Sequence, residues 1–271
     1  MSDVNSSAPS VAALDVRSLL GVLMQMRPMQ DALELVDEAE AIDDLDKSRK
    51  LRDKVFPYSC TDEEGLALYH VIRSNGLRYG FEVATAFGYS TAFMGLAARE
   101  NGGEVVTLDC YVEEWKESFN YEPAELGQAI AETTAAVKEG RYPSGLATAD
   151  QCLAALGLKE TVVLTLGISP QHVARAVGAL TLDFALIDGG HFGDQPTWDF
   201  EAVAPYLANR CAVFFHDNNE NPAVERAVAA AEEALGSEAV VFPTRYRLTL
   251  VGRGLDPATV DALSALFARA S

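Results

Sequence analysis

The chain has 271 residues, of which 49% are hydrophobic and 23% are charged, a composition typical of a folded globular protein. Its 40 acidic and 21 basic residues give a formal net charge of -19, and such a surface repels phosphate backbones and anionic membranes. Nucleic acids and membranes are therefore not expected as partners, whereas the charge says little about a small substrate.

The first 60 residues are predicted to form a tail and a helical appendage. Residues 1–10 are small and polar, which is typical of a flexible terminus. Over residues 11–60 apolar side chains recur at steps of three and four, which predicts helices with one apolar face: Met29, Leu33, Val36, Ala39, Ile42 and Leu45. This face could pack on the core, over an active site, or on a second subunit, which would make the protein a homodimer.

The cysteines indicate a reducing compartment. None of the four forms a C-x-x-C pair, and two of them adjoin apolar runs, so buried free thiols explain them better than disulfides or a cysteine-based metal site: Cys60, Cys110, Cys152 and Cys211. The amino-terminal segment also lacks the basic start of a signal peptide and any apolar span of about 20 residues. The sequence therefore predicts a cytoplasmic protein.

From residue 61 onward the sequence alternates between helices and strands. Thr61 to Glu64 has the T-x-x-E form of a capping box, which predicts a helix that ends near Asn75-Gly76. Short apolar runs separated by helical segments then predict a parallel sheet that is buried on both faces: 78–84, 104–109, 161–166, 184–188 and 212–216.

The last two predicted strands differ from the others. Only 243–247 lie between the apolar runs 239–242 and 248–251, and so short a link cannot hold a crossover helix, so this pair must be antiparallel. The predicted fold class is therefore α/β, with residues 61–271 as the core. A helical insertion at about 111–150 is too long for a simple crossover, and could be a lid or a substrate-binding segment.

Small and polar residues at the strand ends mark a candidate ligand site, because ligands bind at the carboxyl ends of the strands in an open parallel sheet. After the first strand, Ala84, Ala86 and Gly88 let a ligand approach the backbone, although such turns are common without a ligand. Asp109, at the end of the second strand, suits either a ribose diol or a helix cap. The G-x-G-x-x-G of dinucleotide-binding proteins is missing.

The fourth and fifth strands each deliver an aspartate to this edge. Asp188 is followed three residues later by His191, a side chain that can accept a proton near neutral pH. Asp217 and Asn218 follow the fifth strand, and carboxylate and amide oxygens are ligands for Mg²⁺, Ca²⁺ or Mn²⁺. These residues could instead form turns and helix caps, although that explanation leaves Asp217 without a role.

Together these segments resemble the class I S-adenosylmethionine-dependent methyltransferases, and among them the catechol and caffeoyl-coenzyme A O-methyltransferases, over about residues 61–251. The segment E-V-A-T-A-F-G-Y-S, residues 82–90, is similar to the family's E-[LIV]-G-x-x-x-G-Y-S. The resemblance implies a Rossmann-like, seven-stranded, mostly parallel sheet with an antiparallel carboxyl-terminal hairpin and helices on both faces. It also implies residues that contact the cofactor: Glu82, Ala84, Thr85, Ala86, Gly88, Ser90, Asp109, Gly167, Ile168, Ser169 and Asp188.

The same resemblance implies a reaction. Asp188, Asp217 and Asn218 match the family's metal triad, and His191 matches the base of a D-x-x-H variant found in sugar and antibiotic O-methyltransferases. The expected activity is transfer of a methyl group from S-adenosylmethionine to a hydroxyl of a small molecule, assisted by Mg²⁺ or another hard divalent cation. The chain departs from the family pattern in two places. Ala84 replaces the first glycine of the E-[LIV]-G-x-x-x-G-Y-S motif, and the insertion at about 111–150 has no counterpart in the family.

Three alternatives stay open at this point. The first is a methyltransferase that needs no metal, in which the aspartates orient the substrate or cap helices. The second is a protein that binds S-adenosylmethionine but has lost catalysis, for which Ala84 is the one supporting residue. The third is a nicotinamide-dependent oxidoreductase, against which the loop after the first strand and the antiparallel hairpin both count.

Overall fold

A seven-stranded mixed sheet forms the centre of the computed structural model, which describes residues 14–33, 44–111, 124–139, 144–219 and 221–268. The strand order is β3-β2-β1-β4-β5-β7-β6, and only the pairs that involve β7 are antiparallel. The predicted parallel sheet with an antiparallel carboxyl-terminal hairpin is thus confirmed. The strands are β1 (Tyr79–Val83), β2 (Glu104–Asp109), β3 (Val162–Leu166), β4 (Leu182–Ile187), β5 (Leu207–Phe215), β6 (Val240–Val241) and β7 (Thr249–Arg253).

Helices cover both faces of this sheet. The capping box predicted at Thr61 is present, with the Glu64 amide donating to Thr61 Oγ1 at 3.3 Å and the Thr61 amide donating to Glu64 Oε2 at 2.8 Å. The helix that it starts reaches Ser74, as its sequence predicts. The helices are α1 (Val16–Leu23), α2 (Arg27–Leu33), α3 (Asp44–Val55), α4 (Asp62–Ser74), α5 (Tyr89–Glu100), α6 (Ala124–Lys138), α7 (Gly145–Ala155), α8 (Val173–Val177), α9 (Gln195–Val203), α10 (Pro222–Leu235) and α11 (Pro257–Phe267).

The central strands are apolar throughout because both of their faces are buried. Phe184 and Phe214 point into one apolar cluster, whereas Ala185 and Phe215 point into the cluster on the opposite face. Each phenylalanine is fully buried, and such burial stabilises the fold by about 1.5–3 kcal/mol per side chain. The sheet is therefore a rigid support for the loops at its carboxyl edge.

The amino-terminal helices pack their apolar face on the core, which is one of the three partners that the sequence allowed for it. Leu23, Met29 and Leu51 are buried in the same apolar cluster as Phe93 of α5. The predicted apolar positions Val36, Ala39 and Ile42 lie outside the described residues, as does the tail at residues 1–10.

The described part of the predicted insertion consists of α6 and α7, while residues 112–123 and 140–143 lie outside the description. α7 packs closely on the loop after β1, since a Cβ on Gly88 would stand 3.0 Å from the Ala149 backbone and a Cβ on Gly145 only 2.9 Å from the Ala86 carbonyl oxygen. The segment thus brings a helix against the edge of the predicted ligand site. Among the described helices none has the length and the apolar character needed to cross a membrane.

Candidate active site

The loops that carry the predicted site residues meet where the sheet changes direction. From β1 the chain proceeds outward through β2 and β3, and β4 returns to the other side of β1 before continuing to β5. β1 and β4 are adjacent and parallel, so a crevice opens between their carboxyl ends, which is the usual ligand position in such sheets.

The loop after β1 has an unusual backbone. Ala84, Ala86 and Gly88 all have left-handed conformations, with φ values of 70°, 47° and 84°. Gly88 suits its position, because a side chain there would strike α7. For the two alanines the left-handed region costs roughly 1–2 kcal/mol each, so this loop holds backbone strain beside the crevice.

The strain at Ala84 has a measurable consequence. Ala84→Gly should raise the free energy of unfolding by about 0.5–1 kcal/mol, because glycine adopts the observed φ without strain at a smaller cost in chain entropy. Urea unfolding is the measurement. The matched control is Ala92→Gly inside α5, which should destabilise the protein by about 1 kcal/mol. A loss of stability in both variants would contradict the assignment of strain to Ala84.

Glu82 is buried beneath this loop and holds it in place. Its carboxylate accepts hydrogen bonds from the hydroxyls of Ser90 at 2.6 Å, Thr91 at 2.5 Å and Thr107 at 2.6 Å. Thr85 joins the network through its hydroxyl, 2.5 Å from that of Thr107. Burial raises the pKa of Glu82 to about 7, although the three hydroxyls oppose that rise. Three of the predicted cofactor contacts, Glu82, Thr85 and Ser90, therefore connect β1 and β2 to the first turn of α5.

Asp109 fixes two loops at once. One carboxylate oxygen accepts the Ala86 amide at 2.8 Å, and the other accepts the Tyr111 amide at 2.7 Å. The predicted contact of Asp109 with a ribose stays a prediction.

The segment after β3 lies beside Asp109. The Gly167 amide donates to the Asp109 carbonyl oxygen at 2.8 Å, and a Cβ on Gly167 would stand 2.7 Å from Leu108. The Ile168 amide donates to Nδ1 of His172 at 2.9 Å, which fixes the turn. The Ser169 hydroxyl is buried and lies close enough to the Asp199 carboxyl group to lower its pKa.

The carboxyl ends of β4 and β5 bring the two predicted aspartates together. β4 and β5 are parallel neighbours, as predicted, and possible ligand atoms of Asp188, His191 and Asp217 all lie within 4.8 Å of one another. Nε2 of His191 is 3.8 Å from a carboxylate oxygen of Asp217. Asn218 is buried, donates from Nδ2 to the Thr249 hydroxyl at 2.9 Å, and leaves Oδ1 without a hydrogen bond from any described residue.

His216 requires a correction. Strand alternation suggests that it points into the packing of the sheet rather than the cleft. The side chain is indeed buried, but Nδ1 lies 3.0 Å from Asp188 Oδ1 and 3.4 Å from Asp217 Oδ2, while Nε2 lies 3.1 Å from Glu64 Oε2. The Nδ1 contacts are ion pairs without the alignment of a hydrogen bond. His216 therefore lies among three carboxylates.

The charges of this cluster depend on one another. Burial by itself would lower the pKa of His216, but the Asp188 charge and contacts with Asp217 and Glu64 raise it well above the ordinary histidine value. Burial by itself would raise the pKa of Glu64, but His216 and the amides of Thr61 and Tyr246 bring it to about 2. Burial raises the pKa of Asp188, and the charge of His216 opposes that rise. An imidazolium thus serves as the counter-ion for the buried carboxylates.

Asp199 is a second residue that sequence reasoning missed. It is fully buried on α9, and burial raises its pKa to about 7, although the nearby Ser169 hydroxyl opposes that rise. A Cβ on Gly189 would stand 3.0 Å from Oδ2, so the carboxyl group lies directly behind the loop after β4. One signal was available, since Gln195, Asp199 and Val203 are spaced by four and share the buried face of the helix.

A comparison with known protein families finds a match to the region that carries these loops. A family model described as a methyltransferase domain matches residues 81–218, just over half of the chain. The chain belongs to this methyltransferase family. The matched region begins within β1 and ends at Asn218, so it contains the loop after β1, Asp109, and the aspartates and His191 discussed above.

Solved structures share the fold of this methyltransferase at low sequence identity. The cofactor-bound protein Rv0187 from MTB is 16% identical, covers 84% of this chain and 99% of its own, and has a TM-score of 0.54. The O-methyltransferase TomG from Streptomyces achromogenes, solved with SAM, is 16% identical, covers 84% and 98%, and has a TM-score of 0.51. An O-methyltransferase from Bacillus cereus in complex with SAH is 14% identical, covers 83% and 90%, and has a TM-score of 0.51. The resemblance to class I methyltransferases and their Rossmann-like sheet is confirmed.

Proposed function

We propose that this methyltransferase binds S-adenosylmethionine and transfers the methyl group to a hydroxyl of a small molecule. The observation that carries the proposal is the convergence of Asp188, His191 and Asp217 at the crevice beside the loop after β1. Complexes with SAM or SAH among the proteins of similar fold support the choice of cofactor, and two of these proteins are named O-methyltransferases.

The residues present fit this cofactor. The loop after β1 brings a backbone of small residues with positive φ to the crevice, and Asp109 places a carboxylate at the end of β2, where it also accepts the Ala86 amide. When bound, S-adenosylmethionine supplies an electrophilic methyl group on a sulfonium. It carries no pyrophosphate, which agrees with the missing G-x-G-x-x-G.

His191 is the residue proposed to take the proton of the acceptor hydroxyl. Its side chain is 27% exposed, so a substrate can reach it, whereas His216 is enclosed at 3% and is already bound to carboxylates through both ring nitrogens. The Asp217 carboxylate lies 3.8 Å from His191 Nε2, where it can orient the imidazole ring. Removal of the proton gives an oxyanion, which is the better nucleophile for an in-line displacement.

The residues also fit a hard divalent cation such as Mg²⁺. Carboxylate oxygens of Asp188 and Asp217 are near each other, and the buried Oδ1 of Asn218 has no hydrogen bond from a described residue. A bound cation would lower the pKa of a coordinated hydroxyl. One observation favours the metal-independent alternative: His216 already places a positive charge against both carboxylates.

Methyl transfer assays distinguish a cation-assisted reaction from a metal-independent one. We expect transfer of a labelled methyl group from S-adenosylmethionine to catechol, with little transfer to the matched amine o-phenylenediamine. Exhaustive chelation should abolish the transfer and Mg²⁺ should restore it. Asp217→Asn should weaken the Mg²⁺ response, while the control Asp194→Asn, an exposed residue on the same loop as His191, should not.

Full activity after chelation, with no response to Mg²⁺, would remove the cation from the mechanism and leave His216 as the counter-charge. Cofactor binding without any transfer to hydroxyl compounds would favour a protein that has lost catalysis.

A further inference from the structure

A buried imidazole ring, that of His216, borders the candidate active site. His216 directly follows β5, and only 3% of its side chain is exposed. Its backbone amide donates to the Ile187 carbonyl oxygen at 3.2 Å, which ties the end of β5 to the end of β4. The start of this side chain is therefore fixed beside the residue that precedes Asp188.

The far edge of the ring is held by groups that are themselves anchored. Nε2 of His216 lies 3.1 Å from Oε2 of Glu64, which is fully buried. The Glu64 carboxylate also accepts the amides of Thr61 and Tyr246, each at 2.8 Å. The Tyr246 ring packs against the imidazole with 5.3 Å between the ring centroids. One nitrogen and one side of the ring are thus fixed by α4 and by the turn between β6 and β7.

The near edge of the ring faces the two aspartates of the site. Nδ1 lies 3.0 Å from Asp188 Oδ1 and 3.4 Å from Asp217 Oδ2. In the described part of the chain, His216 is the one basic side chain within ion-pair distance of Asp188, whereas Asp217 also faces His191. The orientation of the Asp188 carboxylate therefore depends on His216 more than that of Asp217 does.

A carboxylate at the edge of a crevice needs such a partner if it is to act on a substrate. It can rotate about its side-chain bonds, whereas a reacting group has to be held within about 0.5 Å of its productive position. Side chains that orient a directly acting residue commonly contribute a factor of about 10–100 to activity. The anchored ring of His216 is placed to supply this restraint.

We propose that His216 is a positioning residue, whose anchored ring holds the Asp188 carboxylate in the orientation that the reaction needs. Glu64 fixes the Nε2 edge of the ring, and the Nδ1 edge restrains Asp188. This inference rests on the proposed function, since Asp188 belongs to the same reaction centre.

Two substitutions of His216 separate the two edges of the ring. Asparagine carries a nitrogen at the δ position, as Nδ1 does, and glutamine carries one at the ε position, as Nε2 does. His216→Asn therefore keeps a donor towards Asp188 and loses the contact with Glu64, while His216→Gln does the reverse. Both replacements are uncharged, so a difference between the two variants reports position and not charge.

The kcat for methyl transfer to catechol should be about 10- to 100-fold lower in His216→Gln than in His216→Asn, with the same KM for S-adenosylmethionine in both. Crystal structures of the two variants should show the Asp188 carboxylate in its wild-type position in His216→Asn and displaced in His216→Gln. A merely structural role would lower both kcat values equally, or would spare His216→Gln, which keeps the contact with Glu64. The control His70→Gln makes the same exchange at another buried histidine, which packs on Tyr69, and should keep the wild-type kcat.

Equal kcat values in the two His216 variants, a lower value in His216→Asn, or an unmoved Asp188 in His216→Gln would overturn the inference. If His216→Gln does not fold, the structure of His216→Asn decides, because a displaced Asp188 carboxylate there would contradict the positioning role. A wild-type protein that transfers no methyl group would overturn the proposed function instead, and the two crystal structures would still test the position of Asp188.

Discussion

His191→Ala should lower the turnover of methyl transfer by about 10²–10⁴-fold and leave the affinity for S-adenosylmethionine nearly unchanged. The reason is position: His191 is the more accessible histidine of the cluster, and the loop after β4 places it 3.8 Å from Asp217. Steady-state kinetics give the turnover, and calorimetry gives the affinity.

A chemical test separates a base from a structural role. Added imidazole should restore part of the activity of His191→Ala, because a small base can occupy the space left by the side chain, whereas a misfolded loop would not respond. Full activity of the variant across neutral pH would exclude His191 from the reaction, and the enclosed His216 could not replace it without losing its ion pairs.

Glu64→Ala should lower the free energy of unfolding by about 3–5 kcal/mol. The variant removes the buried partner of the His216 imidazolium, and with it acceptors for the amides of Thr61 and Tyr246. The lowered pKa of Glu64 and the raised pKa of His216 arise from the same ion pair, so this pair contributes to the stability only once. Denaturant unfolding is the measurement. Glu63→Ala, an exposed neighbour in the same helical turn, should stay within about 0.5 kcal/mol of the wild type.

The same interaction predicts a dependence on pH. The pKa of Glu64 falls from 4.5 to about 2 on folding, so its ionised form stabilises the protein fully above pH 4.5 and loses that effect as the pH falls towards 2. The stability difference between the wild type and Glu64→Gln should therefore shrink between about pH 5 and pH 2. A difference that stays constant over this range would show that the charge of Glu64 contributes nothing.

Much of the architecture was predictable because local patterns decide it. Buried parallel strands must be apolar on both faces, so β2 was predicted with the bounds that the structure shows, Glu104–Asp109. The antiparallel end followed from a link too short for a helix. The proximity of Asp188 and Asp217 was predictable once β4 and β5 were expected to be neighbours in the sheet, because each aspartate follows the carboxyl end of one of these strands.

The residues that sequence reasoning missed depend on contacts between distant parts of the chain. Glu64 has a complete local explanation as part of a capping box, which conceals its contact with His216, 152 positions away. The alternation argument failed for His216 because β5 ends at Phe215, and alternation does not extend past the last paired residue. Ala84 and Ala86 have left-handed backbones that no propensity would predict for alanine.

We expect the crevice at the carboxyl ends of β1 and β4 to hold S-adenosylmethionine. Calorimetric titration of the purified protein tests it most directly, with S-adenosylmethionine, its demethylated product and NAD(H) as separate ligands. We expect both sulfur compounds to bind at micromolar affinity with one site per chain, and Asp109→Ala to weaken that binding by roughly 1.5–3 kcal/mol for each charge-assisted bond to the ribose that is lost. Binding of NAD(H) without any binding of the sulfur compounds would contradict the account.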